Sequence, residues 1–443
     1  MTPLRPEGVV IRGRRVITGD GVRPASVHIV DRRISALSTY DAPPDGVEEI
    51  DAGDAVVMSG VVDTHVHVNA PGRTAWEGFE TATRAAAAGG VTTLLDMPLN
   101  AIPATTTADA LRQKREEAQG KTVVNVEFIG GVIPGNVEQL EPLARAGVRA
   151  FKCFLTPSGV DEFPAVTERD LREALPVLAR IGLPLMVHAE DPALLLASPA
   201  NGSRSYSTYL ASRPVAAEHS AIALMIRLLE RCPTPVHIVH LSSASSLALI
   251  RSARASGLPV TVETCPHYLT FAAEEIADGQ TAFKCAPPIR DGDEREALWR
   301  ALIAGDIDLV ASDHSPCPPA MKDTDGDFFA AWGGIASLQL SLAATWTGAR
   351  ARGVGVERIA QWMSTAPARL AGLSQKGSLV PGNDADVIIW DPDARFVVDP
   401  SNLRHRHHIT PYAGRTLVGV VRATYVGGRK VFSESSSPSN RSA

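Results

Sequence analysis

The sequence predicts an α/β fold, a (β/α)8 TIM barrel with a small β-sandwich domain formed by both chain ends. Three observations predict it. The middle of the chain alternates eight short apolar runs with amphipathic segments over about 300 residues. The two ends read instead as short strands separated by Gly and Pro. The 443 residues, 44% of them hydrophobic, provide material for one large core and a smaller one beside it.

The small domain is predicted from the short apolar runs, separated by turn residues, at both chain ends. Apolar runs such as Gly8-Val-Val-Ile-Arg, broken by turn residues, fill the chain from residue 8 to about 57. The same style returns in runs such as Ala385-Asp-Val-Ile-Ile-Trp-Asp. Because chain ends often lie close together, we expect residues 1–57 and 378–432 to form one sandwich and 58–377 to form the barrel. The Ser-rich residues 433–443 predict a disordered tail.

The barrel is predicted from eight strands and the helices between them. Barrel enzymes place their sites at the carboxyl ends of the strands, so the residues at those ends matter most. The predicted helices are 76–88, 108–119, 168–180, 215–231, 244–255 and 294–304. The predicted strands end near His67, Met97, Gly130, Phe154, His188, Leu241, His267 and Asp313.

Composition excludes several classes of protein. The net charge of -6 has interspersed signs and no basic stripe, which argues against a nucleic-acid partner. Apolar stretches break within about ten residues, short of the ~20 that span a bilayer, so we expect no membrane contact. The N-terminal residues lack the apolar region of a signal peptide. The five Cys are odd in number and show no paired spacing, which is typical of free thiols in a reducing compartment. We therefore expect a cytoplasmic protein.

Candidate metal ligands recur at the predicted strand ends. His65 and His67 lie in Asp-Thr-His-Val-His, and strand alternation points both side chains to one face. His188 and His240 each close a later apolar run, Asp313 closes the last one, and His267 is a weaker sixth candidate. Imidazoles and a carboxylate hold Zn-like ions while leaving a position for water. A core histidine satisfied by a hydrogen bond is the alternative for each residue taken alone.

Lys152 is the sharpest single clue. Only seven of the 43 basic residues are Lys, yet one of them stands inside the apolar run Ala-Phe-Lys-Cys-Phe. Burying an ammonium without a partner costs several kcal/mol, so the amine should shed its charge or react. A neutral amine can add carbon dioxide and become a carbamate, an anionic ligand able to bridge two ions, whereas Arg stays protonated. A Lys that snorkels to the rim of the strand is the alternative.

One histidine serves as an internal contrast. His237 lies three residues before His240, so strand alternation predicts that the two side chains point to opposite faces. We therefore expect His237 to pack outward against the helices.

Several longer strings of the sequence are distinctive. They include His65-Val-His-Val-Asn-Ala-Pro-Gly-Arg-Thr, Glu263-Thr-Cys-Pro-His-Tyr, Lys284-Cys-Ala-Pro-Pro-Ile-Arg, Ser312-Asp-His-Ser-Pro-Cys-Pro-Pro and Ala331-Trp-Gly-Gly-Ile. The metal-ligand pattern and the split small domain resemble the cyclic amidohydrolases of the amidohydrolase superfamily, and these strings, which run along nearly the whole chain, are similar to those of the allantoinases. Two departures are Ala70, where the family commonly has Glu, and Ala286, where it commonly has Ser.

The resemblance implies a site and a reaction. It implies two divalent ions, zinc first with cobalt or manganese as alternatives, and hydrolysis of the cyclic amide bond of allantoin to allantoate. A hydroxide shared by the ions would attack the ring carbonyl, with Asp313 as general acid and base. It also implies a homo-oligomer, usually a tetramer. The implied ligands are His65, His67 and Asp313 on one ion, His188 and His240 on the other, and a carboxylated Lys152 between them; the implied substrate contacts are Asn69, Asn100 and the backbone of Ala286.

Three rival functions remain open at this point. Dihydroorotase should carry an Arg where Asn69 stands, because its substrate has a ring carboxylate. Hydantoinases, or dihydropyrimidinases, usually carry an acidic residue there and a Tyr shortly after the Lys, where Pro157 and Ser158 stand here. Non-enzymatic scaffold proteins of this fold have lost ligands, whereas all six candidates are present in this chain.

Overall fold

The computed structural model describes residues 8–41 and 47–434. The expected fold class is confirmed, because a parallel barrel with outer helices occupies the middle of the chain and strands of both ends share a separate sheet. The predicted disordered tail lies, from residue 435 onward, outside the described residues. The predicted domain boundaries stay a prediction. Within the two described ranges, no helix is long and apolar enough to cross a membrane.

The N-terminal strands build one half of the small sheet. Along β1, buried residues such as Ile11 and Val16 alternate with exposed ones, which is the pattern of a sheet with one face on a core. The strands are β1 (Gly8–Thr18), β2 (Gly21–Val30), β3 (Arg33–Ser38), β4 (Glu48–Asp51) and β5 (Val56–Ser59).

The barrel follows directly. Its strands are β6 (Val61–Val66), β7 (Val91–Asp96), β8 (Asn125–Phe128), β9 (Gly130–Gly131), β10 (Phe151–Phe154), β11 (Leu185–His188), β12 (Val236–Ile238), β13 (Val260–Thr264) and β14 (Leu309–Val310). β8 pairs with β7 and β9 pairs with β10, so these two pieces make one barrel strand and the total is eight. The barrel closes where His314 bridges in parallel to Val66, with the His67 N–H donating to the His314 carbonyl at 2.8 Å.

Helices cover the outside of the barrel. The α4 helix shows why the sequence predicts them: Thr167 and Asp170 form a reciprocal capping box, and Gly182 ends the helix at φ 77. The first predicted helix begins at Phe79 rather than Trp76, and the other predicted ends either coincide with the observed ones or differ from them by one to three residues. The helices are α1 (Phe79–Ala88), α2 (Ala108–Ala118), α3 (Leu140–Arg145), α4 (Glu168–Ile181), α5 (Tyr206–Ser212), α6 (Val215–Leu229), α7 (Leu247–Ala255), α8 (Pro266–Thr270), α9 (Gly292–Ala304), α10 (Ser341–Ala351), α11 (Val356–Ala360) and α12 (Ala366–Leu370).

The C-terminal strands complete the small sheet. They are β15 (Val387–Val397), β16 (Thr416–Val426) and β17 (Arg429–Ser433). β15 pairs antiparallel with β5, which joins the two chain ends into the continuous order β17-β16-β15-β5-β1-β2-β3, with β4 beside β1. The sheet has its own apolar cluster, which includes Ile11, Val27 and Val387.

The interior face of the barrel carries three polar residues in register with one methionine. Lys152, Met186, His237 and Thr261 lie side by side on four neighbouring strands, so their side chains share one face. The prediction that His237 packs outward against the helices is therefore wrong. β12 ends at Ile238, and His240 takes a left-handed backbone conformation at φ 41. Alternation holds only in extended backbone, so it does not relate residues 237 and 240.

Candidate metal centre

The six predicted ligand side chains come together at the carboxyl end of the barrel. Each lies in a barrel strand or just after one, and none is more than 7% exposed. This position follows from the fold, because parallel strands deliver their last residues to the same end of a barrel. The six residues are His65, His67, Lys152, His188, His240 and Asp313.

One group consists of His65, His67 and Asp313. The Asp313 Oδ1 lies 3.2 Å from His65 Nε2 and 3.6 Å from His67 Nε2. One ligand atom from each of the three lies within 4.8 Å of the others, which is close enough for a single ion. Burial alone would raise the pKa of Asp313, but the neighbouring histidines outweigh it and hold that pKa well below its usual range. Burial lowers the pKa of His67 to about 4, so it is neutral and has a free lone pair.

The second group consists of His188 and His240. His188 Nδ1 faces His240 Nε2 at 3.0 Å, and the rings meet edge to face. His188 Nε2 bonds to the Glu190 carboxylate at 2.7 Å, and Arg213 donates to the same carboxylate. An ionised carboxylate only accepts, so His188 carries its proton on Nε2 and presents the lone pair of Nδ1. Burial lowers the pKa of both histidines, which keeps them neutral.

Lys152 lies between these groups and has no fixed partner. Its Nζ is buried and makes no hydrogen bond to any described residue, although it lies 5.1 Å from the centre of the Phe154 ring. Burial lowers the pKa of Lys152 to about 8, so a large share of the amine is neutral near that pH. A charge on this amine is felt by His67, His188 and His240. The amine is thus positioned among the other candidate ligands and is chemically free to react.

A buried carboxylate that the sequence reasoning missed supports the first group. Glu263 on β13 accepts from His65 Nδ1 at 2.6 Å and from His237 Nε2 at 2.9 Å, and His237 Nδ1 bonds to Thr261 Oγ1 at 2.8 Å. Burial would raise the pKa of Glu263, but the two histidines outweigh it and hold that pKa at about 2. In the neutral form of His65 this contact places the proton on Nδ1, which leaves the lone pair of Nε2, the nitrogen that faces Asp313, for an ion. The sequence could have pointed to Glu263, because it is an acidic residue within an apolar strand. Glu190, an acidic residue two positions after His188, could have been noticed in the same way.

The backbone bends sharply at the site. Asn69, Asn100, His240 and Asp313 have φ values of 66, 67, 41 and 47, a region that residues other than Gly rarely adopt. Such conformations cost about 1–3 kcal/mol each and persist where the surrounding structure holds them. All four stand where the chain leaves a barrel strand or enters the loop beyond it. Because the backbone is not extended at these four residues, strand alternation does not predict the direction of their side chains.

A cavity of about 510 Å³ opens over the two groups. Of the predicted substrate residues, Asn100 and Ala286 line it, whereas Asn69 donates its amide to the Pro316 carbonyl at 3.3 Å. The weaker ligand candidate His267, which is not one of these six, is not among the residues that line the cavity and lies in α8. The volume is typical of small-molecule sites.

The comparisons with known proteins agree with this geometry. The family model described as "Amidohydrolase family" matches residues 56–431. The chain belongs to the amidohydrolase family. Amidohydrolases generally bind a divalent metal, and His65, His67 and Asp313 provide this chain with a group able to hold one.

Individual amidohydrolases match over nearly the whole chain. A protein named allantoinase from Streptomyces avermitilis is 52% identical over 427 residues and 96% of each chain. One of the same name from Arabidopsis thaliana is 45% identical, covering 96% of this chain and 88% of its own. Among solved structures, an L-hydantoinase (dihydropyrimidinase) from Arthrobacter aurescens has a TM-score of 0.90 at 32% identity and covers 95% of both chains. These matches show the amidohydrolase family and the barrel fold of the chain.

Proposed function

We propose that this amidohydrolase opens the ring of allantoin by hydrolysing its cyclic amide bond, giving allantoate in purine and ureide catabolism. The observation that carries the proposal is the convergence of the six candidate ligands under one small-molecule cavity. The relatives named allantoinase, at 45–52% identity over nearly the full chain, support the choice of substrate.

The proposed ligand set holds two divalent ions. His65, His67 and Asp313 would hold one, His188 and His240 the other, and Lys152 would bridge them as a carbamate formed with carbon dioxide. The lone pairs described above suit this arrangement, as does the amine of Lys152, which has no hydrogen-bond partner among the described residues and whose pKa burial lowers to about 8. Zinc is the first choice and cobalt or manganese the alternatives, because nitrogen and oxygen donors accept all three. When bound, such ions lower the pKa of a water toward 7 and polarise a carbonyl.

Asp313 is the proposed catalytic residue. Its carboxylate is ionised and lines the cavity, so it can accept the proton of the attacking water. The same carboxyl would then give that proton to the departing ring nitrogen, which makes it base and acid in turn. Its side chain is 10% exposed on the cavity side, within reach of a bound ring.

Substrate recognition is proposed to rely on neutral groups. Asn100 and Ala286 line the cavity, and the Asn69 amide donates to the Pro316 carbonyl. Two cations also line it, but Arg213 is paired with Glu190, and Lys284 donates to the carbonyls of Phe329 and Ala331. An uncharged ureide suits this lining better than dihydroorotate, whose carboxylate would lose water without gaining a cation.

The proposed assembly rests on the resemblance, and the proposed location rests on the composition. We propose a homo-oligomer, a tetramer as is usual in the resembling family, working in the cytoplasm.

A panel of substrates tests the proposed function. Purified metal-replete enzyme is given allantoin, dihydroorotate and plain hydantoin, and ring opening is followed directly for each. We expect kcat/KM for allantoin to exceed that for the others by at least about 100-fold. Plain hydantoin lacks the ureido arm of allantoin, so polar groups of the site that bond to this arm would stay unpaired with hydantoin. Hydantoin hydrolysis is the second candidate, favoured by the TM-score of 0.90 with L-hydantoinase. Equal or better turnover of hydantoin or dihydroorotate would overturn the substrate assignment and leave the metal centre standing.

A further inference from the structure

A second cluster of potential ligands adjoins the site through Asp313. Ligand atoms of Cys265, His267 and Asp313 all lie within 4.8 Å of one another, and the first two residues are fully buried. Cys265 follows β13 directly, and His267 lies in the first turn of α8. Cys265 and His267 are not part of the ligand set proposed above, and the two sets share only Asp313.

The donor atoms of this cluster are unused. Both ring nitrogens of His267 are buried and have no hydrogen-bond partner among the described residues. A buried imidazole normally satisfies at least one nitrogen, since an unpaired polar group costs about 1–3 kcal/mol. The Tyr268 ring packs edge-on against the His267 ring, with 4.2 Å between the ring centres, and makes no hydrogen bond to it. Two unpaired nitrogens beside a thiol and a carboxylate indicate that the cluster accommodates something that coordinates.

We propose that Cys265, His267 and Asp313 form an inhibitory site for a soft divalent ion such as Zn²⁺ or Cd²⁺. Sulfur, nitrogen and oxygen donors in a group of three are a common set for such ions, with the fourth position left to water. Thiolate selects soft ions, so Mn²⁺ should not bind here. Of the three residues, Asp313 is the one that lines the cavity, so the cluster adjoins the cavity at that carboxylate.

Binding at this site has a balanced chemistry and a consequence. The Cys265 thiol loses its proton to solvent as the sulfur–metal bond forms, and no electrons are transferred. A neutral His267 binds through the lone pair of one ring nitrogen and releases no proton. Asp313 would give an oxygen to the new ion, which draws the carboxylate away from proton transfer. Excess soft metal should therefore inhibit hydrolysis while the main centre stays occupied.

Cadmium titration tests the site with a signal of its own. Enzyme loaded with Mn²⁺ is titrated with Cd²⁺, and the thiolate-to-cadmium absorption in the ultraviolet is followed together with the cadmium bound per chain. The ligand set proposed for the main centre contains no sulfur, so this absorption reports a thiol site even where Cd²⁺ also displaces Mn²⁺. We expect Cys265→Ser to abolish the absorption and His267→Phe to weaken cadmium binding at least about tenfold, since even an indirect partner of a metal ligand is worth that much.

Matched variants remove thiols outside the cluster. Cys232→Ser removes a partly exposed thiol and Cys317→Ser a buried one, and both should keep the absorption of the parent. Persistence of the band in Cys265→Ser would overturn the proposal, as would its absence in the parent. If circular dichroism shows that Cys265→Ser does not fold, the cadmium affinity of His267→Phe decides instead. A cadmium affinity equal to that of the parent would overturn the site.

Inhibition is measured separately, because this arm alone rests on the function proposed above. The rate of allantoin hydrolysis is compared with each variant's own rate without cadmium. We expect the parent to lose most of its rate over the range in which the absorption appears, and excess Mn²⁺ to have no such effect. Cadmium bound through Cys265 without loss of rate would overturn the inhibitory role. A parent enzyme inactive on allantoin would instead count against the proposed function, and the absorption would still decide the site.

Discussion

Replacement of Glu263 by Gln should loosen the metal centre without touching a proposed ligand. The Glu263 carboxylate is fully buried and accepts hydrogen bonds from His65 Nδ1 at 2.6 Å and His237 Nε2 at 2.9 Å. A Gln amide offers one acceptor and one donor group, so one of the two histidines must then present a lone pair to it. The exchange keeps the shape of the side chain and changes only its hydrogen bonding and charge.

The expected loss of metal affinity depends on which histidine changes its tautomer to accept from the amide. If His65 changed, its proton would move to Nε2, the nitrogen that faces Asp313, and His65 would be lost as a metal ligand. His237 can give way more cheaply, because its Nδ1 would then donate to Thr261 Oγ1. His65 still loses a charged acceptor, and such partners are worth about 10 to 100-fold in metal affinity, or about 1.4 to 2.8 kcal/mol.

The assay is metal retention at fixed free zinc. Parent and Glu263→Gln are dialysed against zinc buffers of graded free concentration, and bound metal is measured by atomic absorption. Glu218→Gln is the matched control, since Glu218, on helix α6, is also buried but bonds to Ser242 rather than to a histidine. Equal zinc affinity in parent and Glu263→Gln, or an equal loss in Glu218→Gln, would refute the reasoning.

Three further outcomes are expected from single changes. Lys152→Ala should lose the bridging metal and nearly all activity, and a short carboxylic acid in excess should restore part of the rate; full activity in Lys152→Ala or Lys152→Arg would exclude the bridge. Asp313→Asn should lower kcat by at least about 100-fold, since the amide cannot take a proton; a loss under tenfold with an unchanged acidic limb of the pH profile would point to another base. Burial would raise the pKa of Glu190, but Arg213 and His188 outweigh it and hold the pKa at about 2. Because this folded-state pKa lies below the unfolded value of about 4.3, ionised Glu190 stabilises the fold above that pH and the contribution is lost as pH falls toward 2. The Tm advantage of the parent over Glu190→Gln should therefore shrink across that window, and a constant difference would contradict the assignment.

Local pattern was enough to predict the barrel and most of the candidate centre. Strand and helix periods are properties of short segments, so the alternation and the helix ends, such as the Thr167 cap and Gly182, can be read directly. Parallel barrel strands all end on one side, so the residues at those ends could be expected to meet. Lys152 stood out because a lone Lys in an apolar strand conflicts with the cost of burying charge.

Only the tertiary structure decided how these side chains are aimed and supported. His237 faces the barrel interior together with Lys152, because the chain after β12 leaves the extended conformation and alternation stops there. Glu263 meets His65 across 198 positions of sequence, and no local period relates them. The cluster of Cys265 and His267 with Asp313 arises in the same way. The sequence by itself determined which chemical groups reach the end of the barrel; which of them share a hydrogen bond or an ion depends on distances set by the closed barrel.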